Sequence, residues 1–123
     1  MFDQHRRWKK KFADALRGLR EGVRGQDSFH VHIPASVLVL GAAVALRMDF
    51  LQICVLILCI AGVVTTELLN SAIEWLARAV TDQDDQRIRN ALDIAASAVL
   101  FMSICAVTVG LLLFGQAIWS RCC

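Results

Sequence analysis

Long apolar stretches constrain the fold of this chain more than any other feature of its sequence. Of its 123 residues, 57% are hydrophobic, which is too apolar for a soluble domain of this length. The stretches cover residues 32–48, 50–80 and 91–119. A helix needs about 20 such residues to cross the hydrocarbon layer of a bilayer, so the first stretch is short for a crossing. We therefore predict a single-domain, all-α integral membrane protein with three transmembrane helices.

The N-terminal segment, residues 1–31, differs from the rest of the chain because it is strongly basic. Eight of the thirteen Lys and Arg residues precede Phe29. Its apolar residues recur at spacings of three or four, namely Trp8, Phe12, Leu16, Leu19 and Val23. This pattern predicts an amphipathic helix that lies in the membrane interface, followed by a short link. A nucleic-acid-binding or calmodulin-binding segment is disfavoured because a span follows so closely, and we expect no nucleic-acid partner.

The distribution of cations also predicts how the chain is oriented. Cytoplasmic segments carry an excess of Lys and Arg, so the N-terminus and the loop after residue 80 are expected inside the cell. Three crossings then place the C-terminus outside. The two C-terminal cysteines, Cys122 and Cys123, are weak grounds for palmitoylation or oxidation.

Two carboxylates and an amide interrupt the second apolar stretch. Glu67, Asn70 and Glu74 are spaced three and four apart, so they share one face of a helix. An ionisable residue inside a membrane span costs roughly 2.5–3.5 kcal/mol, and such residues are usually functional. Their oxygen atoms suit a hard cation such as Mg²⁺ and its bound phosphates. The alternative is that both carboxylates only form ion pairs in an oligomer interface.

The loop TDQDDQRIRN joins the second and third stretches and contains three aspartates. It lacks the glycine and the distal glutamate of a calcium-binding loop. We therefore interpret it as a solvated turn.

Two strings of residues resemble the prokaryotic diacylglycerol kinase family, which includes undecaprenol kinases. The first is ELLNSAIE, from Glu67 to Glu74, and the second is ALDIAASAVL, which begins at Ala91. The resemblance implies a homotrimer in the bacterial inner membrane with active sites between subunits near the cytoplasmic surface. It also implies a transferase of lipid metabolism and phospholipid biosynthesis, which moves the γ-phosphate of MgATP to diacylglycerol or undecaprenol.

The resemblance also implies roles for individual residues. Glu67 would be the general base that takes the proton of the lipid hydroxyl, and Glu74 would bind Mg²⁺. Asn70 would hold the reacting groups in place, and Asp93 matches a family position near the nucleotide.

The chain departs from the family pattern at three positions. Gln26 stands where the family usually has Glu, Arg78 where it has Asp, and Leu92 where it has Lys. A cation at position 78 would compensate for the lost lysine, and Asp27 would replace the lost carboxylate.

Three further assignments remain open at the level of sequence. His30 or His32 would contact phosphate, or would be an interfacial residue satisfied by backbone or headgroups. The whole chain would be an active lipid kinase or an inactive membrane scaffold that binds lipid. A proton-coupled transporter that uses Glu67 is a weaker alternative, because it usually needs four spans.

Overall fold

The computed structural model describes residues 2–24 and 27–122, with no side-chain placement for Phe2, Asp3, Asp27 and Ser28. Within these residues all regular structure is helical, which confirms the predicted all-α class. The helices are α1 (Phe2–Arg24), α2 (Asp27–Ala45), α3 (Phe50–Val80) and α4 (Gln86–Cys122).

The two longest helices, α3 and α4, form the main body of the fold. Each is long and apolar enough to cross a membrane, and they pack against one another along their lengths. Gly62 of α3 faces Met102 of α4, and a Cβ atom at Gly62 would overlap the methionine side chain. The missing side chain therefore lets the two helices approach closely, as small residues do between membrane helices.

Helix α2 begins earlier than the first apolar stretch. Residues 27–31 are helical, and Pro34 lies inside the helix. Helices α1 and α2 meet the length and hydropathy of a span only when they are taken together as a bent pair. The third crossing accordingly remains a proposal, with α2 as the segment that would make it.

A tight turn joins α2 to α3. Arg47 takes a left-handed conformation with φ of 54°, and the Met48 N–H donates to the Ala43 carbonyl at 3.1 Å. This is the hydrogen bond that closes many helix C-termini. Asp49 then caps α3, since its Oδ1 accepts from the Gln52 N–H at 2.8 Å while the Gln52 side chain accepts from the Asp49 N–H. The reciprocal pair fixes where α3 starts.

Buried apolar side chains gather at the end of the molecule that contains this turn. Ala43, Met48, Leu56 and Ala117 form one cluster there. Elsewhere most large apolar side chains are exposed, with Phe101 at 72% as an example. Such an apolar surface is stable in hydrocarbon and not in water, so it agrees with a membrane protein.

Helix α1 lies against α3 at its C-terminal end. A Cβ atom at Gly22 would be 2.7 Å from Leu68 Cδ2, so a larger residue there would require the leucine side chain to shift. Trp8, Phe12 and Leu16 are exposed along the rest of α1. That free apolar face is what an interfacial helix presents to lipid.

Candidate active site

A buried carboxylate and an imidazole meet between α2 and α3. The Glu67 side chain is only 5% exposed, and its Oε1 lies 3.0 Å from His32 Nε2. Its other oxygen, Oε2, is buried and has no hydrogen-bond partner among the described residues. A carboxylate can accept about four hydrogen bonds, so Glu67 retains capacity for a further donor.

The next polar residues on the same face of α3 are linked to one another. The Asn70 Nδ2 donates to Glu74 Oε1 at 3.1 Å. The Asn70 Oδ1 is buried and, within the described part of the chain, has no hydrogen-bond partner. Ser71, which is also buried, donates to the Glu67 carbonyl at 3.0 Å and so does not reach the carboxylates.

A polar cavity of about 670 Å³ opens between the C-terminal end of α3 and the N-terminal end of α4. It brings together three residues singled out in the sequence, Glu74, Arg78 and Asp93. Leu92 lines the same cavity. Glu67 does not line it, but Asn70 lies between Glu67 and Glu74 on α3 and is bonded to Glu74. The site therefore has a buried part at Glu67 and an open part at this cavity.

Arg78 is held at the cavity by a neighbouring ring. Its guanidinium carbon lies 5.4 Å from the centre of the Trp75 ring, a distance at which a cation is attracted to an aromatic face. The cation proposed from the sequence thus lines the cavity with Leu92, which stands where the family has lysine.

The acidic loop contributes more to this cavity than its interpretation as a solvated turn indicated. Asp84 and Asp85 both line it, although Asp84 is exposed. Asp85 accepts from the Arg87 N–H at 2.8 Å and from its guanidinium at 3.1 Å. The Arg87 hydrogen bonds lower the pKa of Asp85, so this cap of α4 is at full strength near neutral pH and weakens below about pH 4.

A second cation in the cavity, Arg89, was missed from the sequence. It forms an ion pair with Asp84 and lines the cavity with Asp93. Its spacing gave a usable signal, because Arg89 precedes Leu92 by three residues and Asp93 by four, and such residues share a helix face.

The comparisons with known proteins identify the family of this chain. The family model for prokaryotic diacylglycerol kinase matches residues 13–114. An undecaprenol kinase of Bacillus subtilis is 32% identical over 108 residues, which are 88% of each chain. The chain belongs to the prokaryotic diacylglycerol kinase family. A diacylglycerol kinase of Synechocystis is 34% identical over 100 residues, which are 80% of this chain and 57% of that relative.

Membership of the diacylglycerol kinase family makes the chain a lipid kinase, and it confirms the resemblance drawn from the two strings. The family match spans every site residue predicted from the sequence. Two of the relevant positions are outside the structural description. Gln26 and the Asp27 side chain are not among the described atoms, so the replacement of a lost carboxylate by Asp27 stays a prediction.

The oxygen donors near the cavity would suit a magnesium ion bound together with substrate phosphates. The described residues contain no cluster of three or more His, Cys, Asp or Glu side chains that could hold a metal alone. Mg²⁺ is usually bound by one or two carboxylates together with substrate phosphates. Glu74 and Asp93 line one cavity, and the unpartnered Asn70 Oδ1 is a further oxygen next to Glu74.

Proposed function

We propose that this protein phosphorylates a membrane lipid alcohol, diacylglycerol or undecaprenol, with MgATP at the cytoplasmic surface of the bacterial inner membrane. One observation carries the proposal. A buried carboxylate with an unpartnered oxygen, Glu67, lies on the same helix face as Glu74, which lines an open polar cavity with Arg78 and Asp93. A lipid hydroxyl suits the first environment, and a nucleotide suits the second.

Glu67 is the general base in this proposal. The hydroxyl oxygen of the lipid attacks the γ-phosphorus of ATP, and its proton passes to the Glu67 carboxylate. The bond from the γ-phosphorus to the bridging oxygen breaks, and ADP leaves with that oxygen. Positioning and charge neutralisation account for most of the rate gain in phosphoryl transfer.

The residues of the cavity bind and orient the nucleotide. Glu74 and Asp93 would hold Mg²⁺, which when bound neutralises charge on the phosphates. Asn70 fixes the Glu74 carboxylate through its 3.1 Å hydrogen bond. Arg78 supplies the cation that Leu92 does not, and its planar guanidinium can bind two phosphate oxygens at once.

A homotrimer with shared active sites fits the exposed surfaces of a single chain. The most apolar part of α4 has no buried residues within the described protomer. Neighbouring subunits would cover apolar surface that a single protomer leaves exposed. The family resemblance gives three as the number of subunits, so chemical cross-linking in native membranes should give a three-subunit product.

The relatives name two candidate acceptors. The Bacillus protein is an undecaprenol kinase and the Synechocystis protein a diacylglycerol kinase. We propose that the acceptor belongs to this pair, since the chain covers most of the undecaprenol kinase and shares 34% identity with the diacylglycerol kinase.

The test is a transfer assay with purified protein, labelled ATP, Mg²⁺ and a panel of lipid alcohols. Transfer to undecaprenol or diacylglycerol is the expected result. The second candidate function is an inactive lipid-binding scaffold, favoured by Leu92 in the cavity and by the pairing of Arg89 with Asp84. A scaffold would show no transfer and no binding of MgATP in calorimetry.

A further inference from the structure

The contact between His32 and Glu67 gives the histidine a role in catalysis. We propose that His32 is a positioning residue, which holds the Glu67 carboxylate through Oε1 so that Oε2 receives the proton of the lipid hydroxyl. This inference rests on the proposed function. It assigns different tasks to the two oxygens of one carboxylate.

The geometry supports this division of tasks. His32 Nε2 is 3.0 Å from Oε1, within the range of a good hydrogen bond, and an N–H at Nε2 would donate to it. Oε2 is buried and lacks a partner among the described residues. A buried polar atom without a partner is unfavourable, so an arriving hydroxyl donor is favoured at Oε2.

The imidazole restricts the motion of the carboxylate. The two residues come from different helices, α2 and α3, so the hydrogen bond fixes the side chain of Glu67 against a second, independent support. His32 is itself 36% exposed at its side chain, while Glu67 is 5% exposed. The pair therefore reaches from a buried reacting group to a more open edge of the molecule.

Fixing the orientation of the Glu67 carboxylate affects the rate of turnover more than it affects the binding of MgATP. Misplacing a reacting group by about 1 Å can cost 10²-fold in rate. His32 does not line the cavity that contains Glu74, Arg78 and Asp93. Its removal should accordingly lower kcat and leave the KM for MgATP nearly unchanged.

The experiment compares three variants, His32→Ala, His32→Gln and the control His30→Ala. His30 is exposed and two residues away on α2, so it reports the general effect of losing an imidazole from this helix. We expect His32→Ala to lower kcat by about 10–100-fold with a KM for MgATP within about twofold of the unaltered protein. His32→Gln keeps an N–H donor of similar reach and should recover most of the lost kcat.

Several results would overturn the inference. These are an unchanged kcat in His32→Ala, a His32→Gln variant as slow as His32→Ala, or a loss that falls on KM for MgATP. A merely structural pair would lower thermal stability or disrupt the oligomer without a kcat effect that glutamine rescues. If the unaltered protein transfers phosphate to no lipid alcohol, the proposed function fails, whereas normal turnover in His32→Ala removes only the role of His32.

Discussion

At the scale of single residues, two polar atoms set this site apart from the rest of the described protein. Glu67 Oε2 and Asn70 Oδ1 are the buried side-chain oxygen or nitrogen atoms without a partner among the described side chains, those of residues 4–24 and 29–122. They are three residues apart in the string that carries the family resemblance. Buried polar groups are normally hydrogen-bonded, so we expect a ligand to supply the missing contacts at both atoms.

The first prediction concerns Glu67→Gln. The amide keeps the size of the side chain and can still contact His32, but it cannot take a proton. We expect phosphoryl transfer to fall by about 10²–10⁴-fold while the oligomer and its melting temperature stay unchanged. Turnover at the normal rate in a correctly assembled variant would show that another group is the base.

The second prediction concerns Glu74→Gln, which removes a carboxylate ligand for Mg²⁺ and keeps the contact with Asn70. Neutral oxygen is a poorer ligand for a hard cation than a carboxylate. We expect the Mg²⁺ concentration for half-maximal activity to rise about tenfold or more, a loss of about 1.4 kcal/mol. Coincident Mg²⁺ titration curves for the variant and the unaltered protein would contradict the assignment.

The third prediction asks whether Arg78 has taken over from the missing lysine. Arg78→Ala should raise the KM for ATP about tenfold or more, because a charge-assisted contact of about 1.5–3 kcal/mol is lost. Leu92→Lys in that variant should restore much of the affinity, since Leu92 lines the same cavity. Arg89→Ala is the matched comparison, because it removes the other arginine of the cavity. Equal KM values in all of these proteins would show that neither arginine binds phosphate.

At the scale of helices, the length of α3 explains why one helix can serve two environments. Its 31 residues extend about 46 Å, which exceeds a hydrocarbon layer of about 30 Å. Measured from Phe50, Glu67 lies about 26 Å along the helix and Glu74 about 36 Å. A hydrocarbon layer that begins at Phe50 therefore includes Glu67 and ends before Glu74, which agrees with the proposed roles of the two residues.

The fourth prediction tests the close approach of α3 and α4. Gly62→Ala places a methyl group against Met102, whereas Gly115→Ala places one where nothing lies within 4 Å. We expect the first variant to be less stable than the second by about 1 kcal/mol, since overpacking costs about 1–3 kcal/mol and methionine is adaptable. Thermal unfolding in detergent compares the two variants. Adding Met102→Ala should remove the difference, and equal stability without it would mean that the helices are not tightly packed at Gly62.

At the scale of the whole molecule, the number of crossings decides on which side each end lies. Helices α3 and α4 are each long and apolar enough to cross the membrane. Helices α1 and α2 meet that requirement only when they are taken together as a bent pair. With three crossings the loop between α3 and α4 faces the cytoplasm and the C-terminus faces outward. The charge distribution favours that orientation, because Arg78, Arg87 and Arg89 flank the loop.

The fifth prediction tests this topology with single-cysteine variants. A protein that retains only Cys122, which is exposed, should react with a membrane-impermeant maleimide in intact cells. A cysteine-free protein that carries Gln83→Cys in the loop should react only after the cells are permeabilised. The opposite pattern would reverse the orientation. Labelling of both sites from one side would mean that α4 does not cross the membrane.

Much of this architecture could be predicted from the sequence, because the hydrocarbon layer of a membrane requires long apolar helices. Apolar length alone indicated the long helices, since a chain in hydrocarbon has to satisfy its backbone internally. The second apolar stretch, residues 50–80, has the same bounds as α3, whereas the cap at Asp49 was not predicted. The start of α2 at Asp27 was not predicted from the sequence, because the polar residues at its beginning and Pro34 are typical of a link.

The site was predictable along one helix and not between helices. Spacings of three and four joined Glu67, Asn70 and Glu74 on α3. No periodicity relates His32 on α2 to Glu67, so their contact emerged only from the packing of two helices. Arg89 was overlooked because a charged loop is usually interpreted as solvent-exposed. Arg89 nevertheless lies on the face of α4 that also carries Asp93.

The burial of Glu67 within a membrane helix also bears on how the concentrations of the two substrates are expressed. One reactant diffuses in two dimensions and the other in three. A lipid substrate reaches a membrane enzyme laterally, so its supply is set by its mole fraction among the surrounding lipids. The supply of nucleotide is set by its molarity in the water. The phosphoryl group is thus transferred from a soluble nucleotide to a lipid that stays in the membrane.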